Sequence, residues 1–282
     1  LAEFNALADR QGCPVDLVKL LPAVLPAGKD AGMLTVEGAK RLDPTRYTTQ
    51  ATNQKTAYHW KSDLIAWNVY PGWYGMSRKQ LGSFMDKMRC DRPVGISEYG
   101  AGGNHLQHAE KPKKPVHDGD FHPEEYQALC HEAFLRQIDR RDYLWATFVW
   151  NLFDFGSDGR NEGNRSGMND KGLVSFDRKV KKDAYYVYQS RWSKTPMLQI
   201  AQSRCTQRKG AKTEIKVYSN TGAVTLFING KQISTKEQAK NKQPGIFRWK
   251  GCRLQKGKNE IVAVAKAEGK ELKNEAVWML AP

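Results

Sequence analysis

The stretch PVGISEYGAGG, from Pro93 to Gly103, decides how this sequence is interpreted. Apolar residues suited to a buried strand lead into a single carboxylate, Glu98, and three glycines follow at positions 100, 102 and 103. Burying a carboxylate at the end of such a strand is costly unless it is paired, hydrogen-bonded or used in chemistry. Glu98 is therefore a candidate catalytic residue, and the glycines are expected to let the backbone turn sharply beside it.

The length of 282 residues suggests one large or two ordinary domains. The net charge of +15 invites a nucleic-acid partner, but residues 201–282 alone hold 17 Lys and Arg against 6 Asp and Glu. There the basic residues alternate with apolar ones, as in TEIKVYSN, a pattern typical of the solvated face of a sheet. We therefore expect no nucleic-acid partner. Because no apolar run reaches about 18 residues, we expect no membrane partner either.

The residue types that bind metals do not form a recognisable site. The five cysteines are scattered without a CxxC pair and are expected to be free thiols: Cys13, Cys90, Cys130, Cys205 and Cys252. His105 and His108 form an HxxH pair without the neighbouring ligands of a zinc site. The stretch DFGSDGRNEGN lacks the ligand spacing of a calcium loop and is expected to be a rim loop. The sequence thus predicts neither a metal nor a cofactor.

Up to about residue 192, strand-like apolar runs alternate with helical segments. The predicted strands are RYTTQATN, DLIAWNVY, PVGISEYG and YLWATFVWNLFDF, and helices are predicted near residues 122–142 and 182–192. This alternation implies a parallel sheet, and in an eight-fold barrel the chemistry lies at the carboxyl ends of the strands. The residues found at such ends here are Tyr70, Glu98, Trp150 and Asp154. An open doubly wound sheet is the alternative, although no Gly-rich phosphate loop supports it.

From near residue 198 the pattern changes to period two, with short strands separated by NTG, NGK and QKGKN turns. This pattern is typical of an antiparallel sandwich. The first 40 residues show neither period for long. The sequence is therefore divided into a poorly legible segment, 1–40, a strand-and-helix domain, 41–196, and a sandwich domain, 197–282.

The segments AWNVYPGWYG, ISEYGAGG, FVWNLFDFGSDGRNEGN and NDKGLVSFDRKVKKDAYYVYQSRWSKTP resemble glycoside hydrolase family 2, the β-galactosidase and β-glucuronidase group. The resemblance runs from about Leu42 to the end and is greatest to the β-galactosidase-like members. It implies the C-terminal half of a (β/α)8 barrel, strands five to eight, followed by an immunoglobulin-like β-sandwich. It also implies retaining hydrolysis of terminal β-D-galactosides.

The resemblance assigns roles to residues near the strand ends. It implies that Glu98, ending strand seven, is the nucleophile, that Tyr70 hydrogen-bonds this nucleophile, and that Trp150 walls the sugar pocket. Asn68 and His105 are expected to contact the substrate.

Asn169 and Lys171 match an Asn-x-Lys pair that contacts the substrate carboxylate in β-glucuronidases. The first alternative is therefore a β-glucuronidase. A second is a non-catalytic carbohydrate-binding or structural fragment, in which the basic sandwich domain buttresses the barrel or binds acidic glycans.

This sequence differs from the family pattern at the second catalytic carboxyl. A retaining glycosidase needs two carboxyls about 5–5.5 Å apart. In this family the acid/base is the Glu of an Asn-Glu pair ending strand four. The Asn-Glu pairs here, at 161–162, 259–260 and 274–275, all follow Glu98 in the chain. We therefore expect that this chain alone cannot complete the double displacement.

The partner expected from the resemblance is a carbohydrate substrate, and the sandwich domain allows a homo-oligomer. The resemblance favours a periplasmic or secreted location, although no signal peptide is visible in the chain.

Overall fold

The computed structural model describes residues 31–53 and 62–281. Most of the segment 1–40, together with Cys13, lies outside the described residues. Helix α1, Ala31–Leu42, is the first described element. The chain forms two compact units: the first includes residues 62–69, 83–99 and 141–148, and the second consists of residues 70–82, 100–140 and 149–281.

The first unit contains a four-stranded sheet in the order β1-β2-β3-β4. The strands are β1, Thr49–Thr52, β2, Leu64–Asn68, β3, Val94–Tyr99, and β4, Leu144–Val149. The pairs β1/β2 and β2/β3 are parallel, as the alternation of strands and helices predicts. The further expectation that this sheet is half of a barrel stays a prediction.

Apolar residues of the central strands make the core of this unit. Ile65, Trp67 and Ile96 are buried. The short helix α2, Leu81–Lys87, contributes Phe84, whose ring meets the Trp67 ring edge to face at 5.7 Å. Strands buried on both faces read as continuous apolar runs, which is why β2 and β3 were visible in the sequence.

The second unit begins with a long helix and a hairpin. Helix α3, Glu124–Ile138, starts directly after Pro123, and two acidic residues lie in its first turn. Strands β5, Phe155–Glu162, and β6, Arg165–Asn169, form an antiparallel hairpin. The expectation that DFGSDGRNEGN is a rim loop was therefore wrong. Its polar residues pair as a ribbon, and Gly163 and Asn164 make the turn with positive φ angles.

Helix α4, Asp183–Trp192, precedes two β-sheets that share one core, an arrangement consistent with the predicted antiparallel β-sandwich. One sheet has the order β11-β10-β13-β14-β8 and the other β12-β9-β7. Its strands are β7, Leu198–Ile200, β8, Gln207–Arg208, β9, Lys212–Ser219, β10, Ala223–Ile228, β11, Lys231–Glu237, β12, Ile246–Arg253, β13, Gly257–Ala267, and β14, Lys270–Leu280.

The two sheets of the sandwich bury one apolar core. Its large members are Ile215, Leu226, Phe247, Trp249, Ile261 and Trp278. Buried residues alternate with partly or fully exposed ones most regularly in β10, β13 and β14, and most Lys and Arg residues of 201–282 are exposed or partly exposed. The pairing is antiparallel except between β8 and β14. The positive charge of residues 201–282 thus lies largely on the outer faces of these sheets.

Candidate functional site

Two of the predicted site residues lie side by side in the first unit. Asn68 ends β2 and is the register partner of Glu98, the second-last residue of β3. The N–H of Val69 donates to the Glu98 carbonyl at 2.8 Å, and the Ser97 hydroxyl donates to Oδ1 of Asn68 at 2.5 Å. The half-buried Glu98 and Asn68 thus mark the carboxyl end of the parallel sheet, where chemistry is expected in α/β folds.

The glycines that follow Glu98 in the chain belong to the second unit and pack closely there. A Cβ on Gly102 would lie 2.3 Å from Oδ1 of Asp170 and 2.7 Å from the Trp73 ring. A Cβ on Gly100 would lie 2.3 Å from the carbonyl oxygen of Trp150. Neither glycine has a positive φ, so close packing, not a left-handed turn, is what requires glycine here.

Asn169 and Lys171 lie together at the end of the β5/β6 hairpin. Oδ1 of Asn169 accepts the backbone N–H of Lys171 at 3.1 Å, which fixes the loop between them. The Lys171 side chain is 1% exposed, and its ammonium lies 5.4 Å from the centre of the Trp73 ring and 5.3 Å from that of Tyr74. Aromatic faces attract such a cation. The motif therefore holds one buried positive charge against an aromatic wall.

The ammonium of Lys171 faces a partner that the sequence analysis did not identify. Oε1 and Oε2 of Glu162 lie 3.2 and 3.1 Å from Nζ of Lys171. The guanidinium of Arg160 also pairs with Glu162. In the sequence, Glu162 stands out only as part of an Asn-Glu pair that follows Glu98 in the chain. Its real neighbours become visible only when β5 and β6 pair and bring residues 162 and 171 together.

Tyr70 and Trp150 occupy the neighbourhood of this cluster. The Tyr70 ring meets Tyr74 edge to face at 5.3 Å. Trp150 meets Phe155 edge to face at 5.7 Å, and its peptide bond to the next residue is cis. The following amide N–H, that of Asn151, donates to the carbonyl of Lys171 at 3.0 Å. Backbone and ring contacts thus connect Tyr70 and Trp150 to the Lys171 loop.

The carboxylate of Asp154 fixes the Lys171 loop through ion pairs and a backbone hydrogen bond. Nζ of Lys182 lies 2.7 Å from its Oδ1, and Nη2 of Arg165 lies 2.9 Å from its Oδ2. The N–H of Gly172 also donates to Oδ1 at 2.9 Å. Asp154 and Lys182 are fully buried, and every oxygen of the carboxylate is paired, as a buried charge requires. Asp154, noted in the sequence for its position at a strand end, thus binds the loop that carries Lys171.

Asp170 is held by a histidine. Nδ1 of His122 lies 2.7 Å from Oδ2 of Asp170, and Nε2 of His122 donates to the Val116 carbonyl at 2.9 Å. Burial alone would lower the pKa of His122, but its hydrogen bond to Asp170 and the charge of that carboxylate raise this pKa above its ordinary value. Both ring nitrogens have acceptors, so the imidazolium form suits the site.

His105 is half-buried in the same unit. Burial, followed by the charges of Lys182 and Arg165, lowers the pKa of His105, so the ring is neutral at pH 7. Its Nδ1 is buried without a hydrogen-bond partner in the described part of the chain. The ring is thus neutral and its Nδ1 is inaccessible to solvent, and the expected contact of His105 to a sugar stays a prediction.

A cavity of about 640 Å³ borders the cluster within the second unit. Its wall includes Tyr74, His117, Arg160 and Glu162. The rings of Tyr74 and His117 meet edge to face at 5.1 Å. Arg160 and Glu162 therefore lie between open solvent space and the buried ammonium of Lys171.

Metal-binding clusters and membrane-spanning helices are absent from the residues that the structure describes. In residues 31–53 and 62–281, no cluster of three or more His, Cys, Asp or Glu side chains is arranged to hold a metal ion. The described cysteines, Cys90, Cys130, Cys205 and Cys252, are free thiols. None of the helices in this part of the chain has the length and apolar character needed to cross a membrane.

Comparison with known proteins places these features among glycosidases. Residues 210–273 match a family model described as a domain of unknown function, DUF4982. A β-glucuronidase of Bacteroides fragilis is 39% identical over 262 residues, covering 92% of this chain and 35% of the relative. A β-galactosidase of Bacteroides ovatus, BoGH2A, is 28% identical over 109 residues, covering 38% of this chain and 13% of the relative.

A solved structure resembles most of this chain. It is an FMN-binding β-glucuronidase from Faecalibacterium prausnitzii L2-6, 39% identical, with a TM-score of 0.79 over 90% of this chain and 38% of that chain. The chain thus spans about a third of the length of the relatives that match nearly all of it.

Proposed function

Because the chain belongs to the β-glucuronidase and β-galactosidase group of glycoside hydrolase family 2, we propose that the protein carrying it is a retaining glycosidase that removes terminal β-glucuronic acid. One observation carries the choice of sugar: the ammonium of Lys171 is buried beside Asn169, at the aromatic wall of Trp73 and Tyr74. A buried ammonium needs a paired anion; Glu162 supplies it in the structure, and the sugar carboxylate would supply it in the proposed complex.

The charges around this ammonium support an acidic sugar. Lys171 and Arg160 carry two positive charges, and Glu162, the carboxylate that pairs with both, carries one negative charge. These three side chains together carry one positive charge, and the nearby Asp170 carboxylate is paired with His122. The carboxylate of a glucuronide would balance that positive charge, and a neutral sugar would not.

The catalytic step is proposed to begin at Glu98. Its carboxylate attacks the anomeric carbon, the bond to the leaving oxygen breaks, and an acid carboxyl gives that oxygen a proton. The same group, now a base, takes a proton from water, whose oxygen attacks the anomeric carbon and releases Glu98. Following the resemblance, Tyr70 is proposed to hydrogen-bond Glu98. Trp150, Asn68 and His105 are proposed to contact the sugar.

The acid/base carboxyl is proposed to come from outside this chain. Every Asn-Glu pair present follows Glu98, and Glu162 is already paired with Lys171. On this proposal, residues 41–196 supply strands five to eight of a (β/α)8 barrel. Residues 197–282 form the immunoglobulin-like sandwich that buttresses it. The four strands β1 to β4, adjacent in chain order, support this assignment.

A β-galactoside is the second candidate substrate. It is favoured by the Glu162–Lys171 pair, which already gives the lysine a partner without any ligand. The similarity to the Bacteroides ovatus β-galactosidase supports the same choice.

Parallel assays with 4-nitrophenyl β-glucuronide and β-galactoside test the proposal, on the protein at its full natural length. We expect kcat/KM to be higher for the glucuronide. Lys171→Met should lower it for the glucuronide alone, by about 10- to 100-fold, the worth of one charged hydrogen bond. The exposed Lys231→Met is the matched control. A preference for the galactoside that Lys171→Met leaves unchanged would contradict the glucuronide assignment.

A further inference from the structure

We propose that Glu162 is a specificity-determining residue that holds Lys171 in the unliganded protein and yields it to the carboxylate of an acidic sugar. This inference rests on the proposed function, because it takes Lys171 as the group that binds the sugar carboxylate. It assigns Glu162 to the selection between acidic and neutral sugars at that site. Glu162 itself takes no part in bond cleavage.

The geometry shows that Glu162 stands where a ligand carboxylate would bind. Its two oxygens lie at nearly equal distances, 3.2 and 3.1 Å, from Nζ of Lys171. Both side chains are almost fully buried, 4% and 1% exposed. A second carboxylate therefore reaches the ammonium only if Glu162 gives up at least one of these contacts.

Arg160 is a second cation with which Glu162 can remain paired after it releases Lys171. Arg160 lies two residues earlier on β5 and pairs with the same carboxylate. Its side chain is 38% exposed, and both residues line the cavity of about 640 Å³. Glu162 can thus keep Arg160 while releasing Lys171. The ligand carboxylate and Glu162 would then each have one cation, so no charge is left unpaired.

The strand pairing next to Glu162 is irregular. The pairing of β5 with β6 is irregular between Gly156 and Glu162, with several changes of register. Glu162 is the last residue of β5, directly before the turn at Gly163 and Asn164. Where a ladder is irregular some residues are left unpaired, so a movement of Glu162 would break few strand-pairing hydrogen bonds.

The competition predicts opposite effects for substitutions at Glu162 and at Arg160. Glu162→Gln keeps the size of the side chain but removes its charge, so acidic sugars no longer compete with a carboxylate. Arg160→Gln removes the alternative cation, so Glu162 is bound more firmly to Lys171. A neutral sugar leaves the Glu162–Lys171 pair in place and should sense neither change.

Isothermal titration with D-glucuronic acid and D-galactose, on the full-length protein, measures these effects without turnover. We expect Glu162→Gln to lower the Kd for glucuronic acid by about 10-fold and Arg160→Gln to raise it several-fold, consistent with one charged hydrogen bond. The Kd for galactose should not change. Glu162→Asp, which keeps the charge, should resemble wild type. Thermal unfolding of each variant shows whether it is folded.

The outcomes test the role of Glu162 separately from the glucuronide assignment. Glucuronic acid binding that is unchanged or weaker in folded Glu162→Gln overturns the inference, and if that variant does not fold, an unchanged Kd in Arg160→Gln does so. Failure of the proposed function looks different: wild type and Lys171→Met then bind glucuronic acid equally. If wild type binds only galactose and Glu162→Gln gains glucuronic acid, the role of Glu162 stands while the glucuronide assignment falls. If it gains nothing, both fall.

Discussion

Nζ of Lys216, on strand β9 of the sandwich, lies 2.6 Å from Oε1 of Glu132, on helix α3. The hydroxyl of Tyr218 donates to the same oxygen at 2.7 Å, and Arg248 pairs with the other. The Glu132 side chain is 3% exposed. One buried carboxylate thus joins α3 to two strands of the sandwich inside the second unit.

Removing the charge of Glu132 should destabilise this unit. In Glu132→Gln, Lys216 and Arg248 lose their partner in a buried setting, and we expect a loss of about 3 kcal/mol in the free energy of unfolding. Urea unfolding measures it. Glu260→Gln is the matched control, since Glu260 and its partner Lys258 are 57% and 60% exposed, and it should not change stability. Equal stability of Glu132→Gln and wild type would contradict this role.

The same carboxylate predicts a loss of stability in acid. Burial raises the pKa of Glu132, but the charges of Lys216 and Arg248 outweigh burial and lower it from 4.5 to about 2. Because the folded pKa is the lower one, the stabilisation is present above pH 4.5 and is lost as the pH falls towards 2. The stability difference between wild type and Glu132→Gln should therefore shrink over that range.

Asp183 predicts the opposite dependence at higher pH. Burial, and then the charge of Glu124, raise the pKa of Asp183 from 3.8 to about 7. The folded state therefore holds a proton that the unfolded state releases, and stability falls as the pH rises from about 4 to about 7.

Asp183→Asn should remove this dependence. The variant should gain on wild type by about 2 to 4 kcal/mol between pH 4 and pH 7.5, measured by urea unfolding. Asp118→Asn, at an exposed side chain, should not. A wild-type minus Asp183→Asn difference that does not vary with pH would refute the raised pKa.

Two buried histidines should have pKa values on opposite sides of the ordinary histidine pKa of 6.5. The hydrogen bond and charge of Asp170 overcome burial and raise the pKa of His122. Burial and the charge of Lys182 lower the pKa of His131 to about 3. In an NMR titration from pH 5 to 8, His122 should remain charged above pH 6.5 and His131 should stay neutral. Asp170→Asn should lower the midpoint of His122; a common midpoint for both rings would count against this assignment.

The glycines after Glu98 should tolerate no side chain. Gly102→Ala would place a methyl group 2.3 Å from Asp170 and 2.7 Å from Trp73, both buried, and we expect a loss of about 1 to 3 kcal/mol. Gly156→Ala is the control, because nothing lies within 4 Å of its added Cβ. Denaturant unfolding compares them, and equal stability of the two variants would show that the close packing at Gly102 is not required.

The sequence predicted those parts of the fold that local pattern determines. Apolar runs of strand length revealed β2 and β3, and period two revealed the sandwich. The hairpin β5/β6 was missed because its polar residues do not alternate with apolar ones, although the Gly163-Asn164 turn signal was present.

The candidate site was predictable only in part, for a related reason. Asn169 and Lys171 are close in sequence, so their motif was recognisable. Glu162 meets Lys171 across a hairpin, and His122 meets Asp170 over 48 residues of chain. Such pairs follow from tertiary packing, which no local pattern encodes. The catalytic role of Glu98 stays a prediction.

Covalent trapping on Glu98 tests the central claim most directly. The full-length protein would be incubated with 2-deoxy-2-fluoro-β-D-glucuronyl fluoride, whose fluorine slows hydrolysis of the glycosyl-enzyme, and the labelled peptide would be identified by mass spectrometry. We predict one adduct, on Glu98, that is absent from Glu98→Gln. An adduct on another carboxylate, or glucuronide turnover by Glu98→Gln at the wild-type rate, would contradict the account.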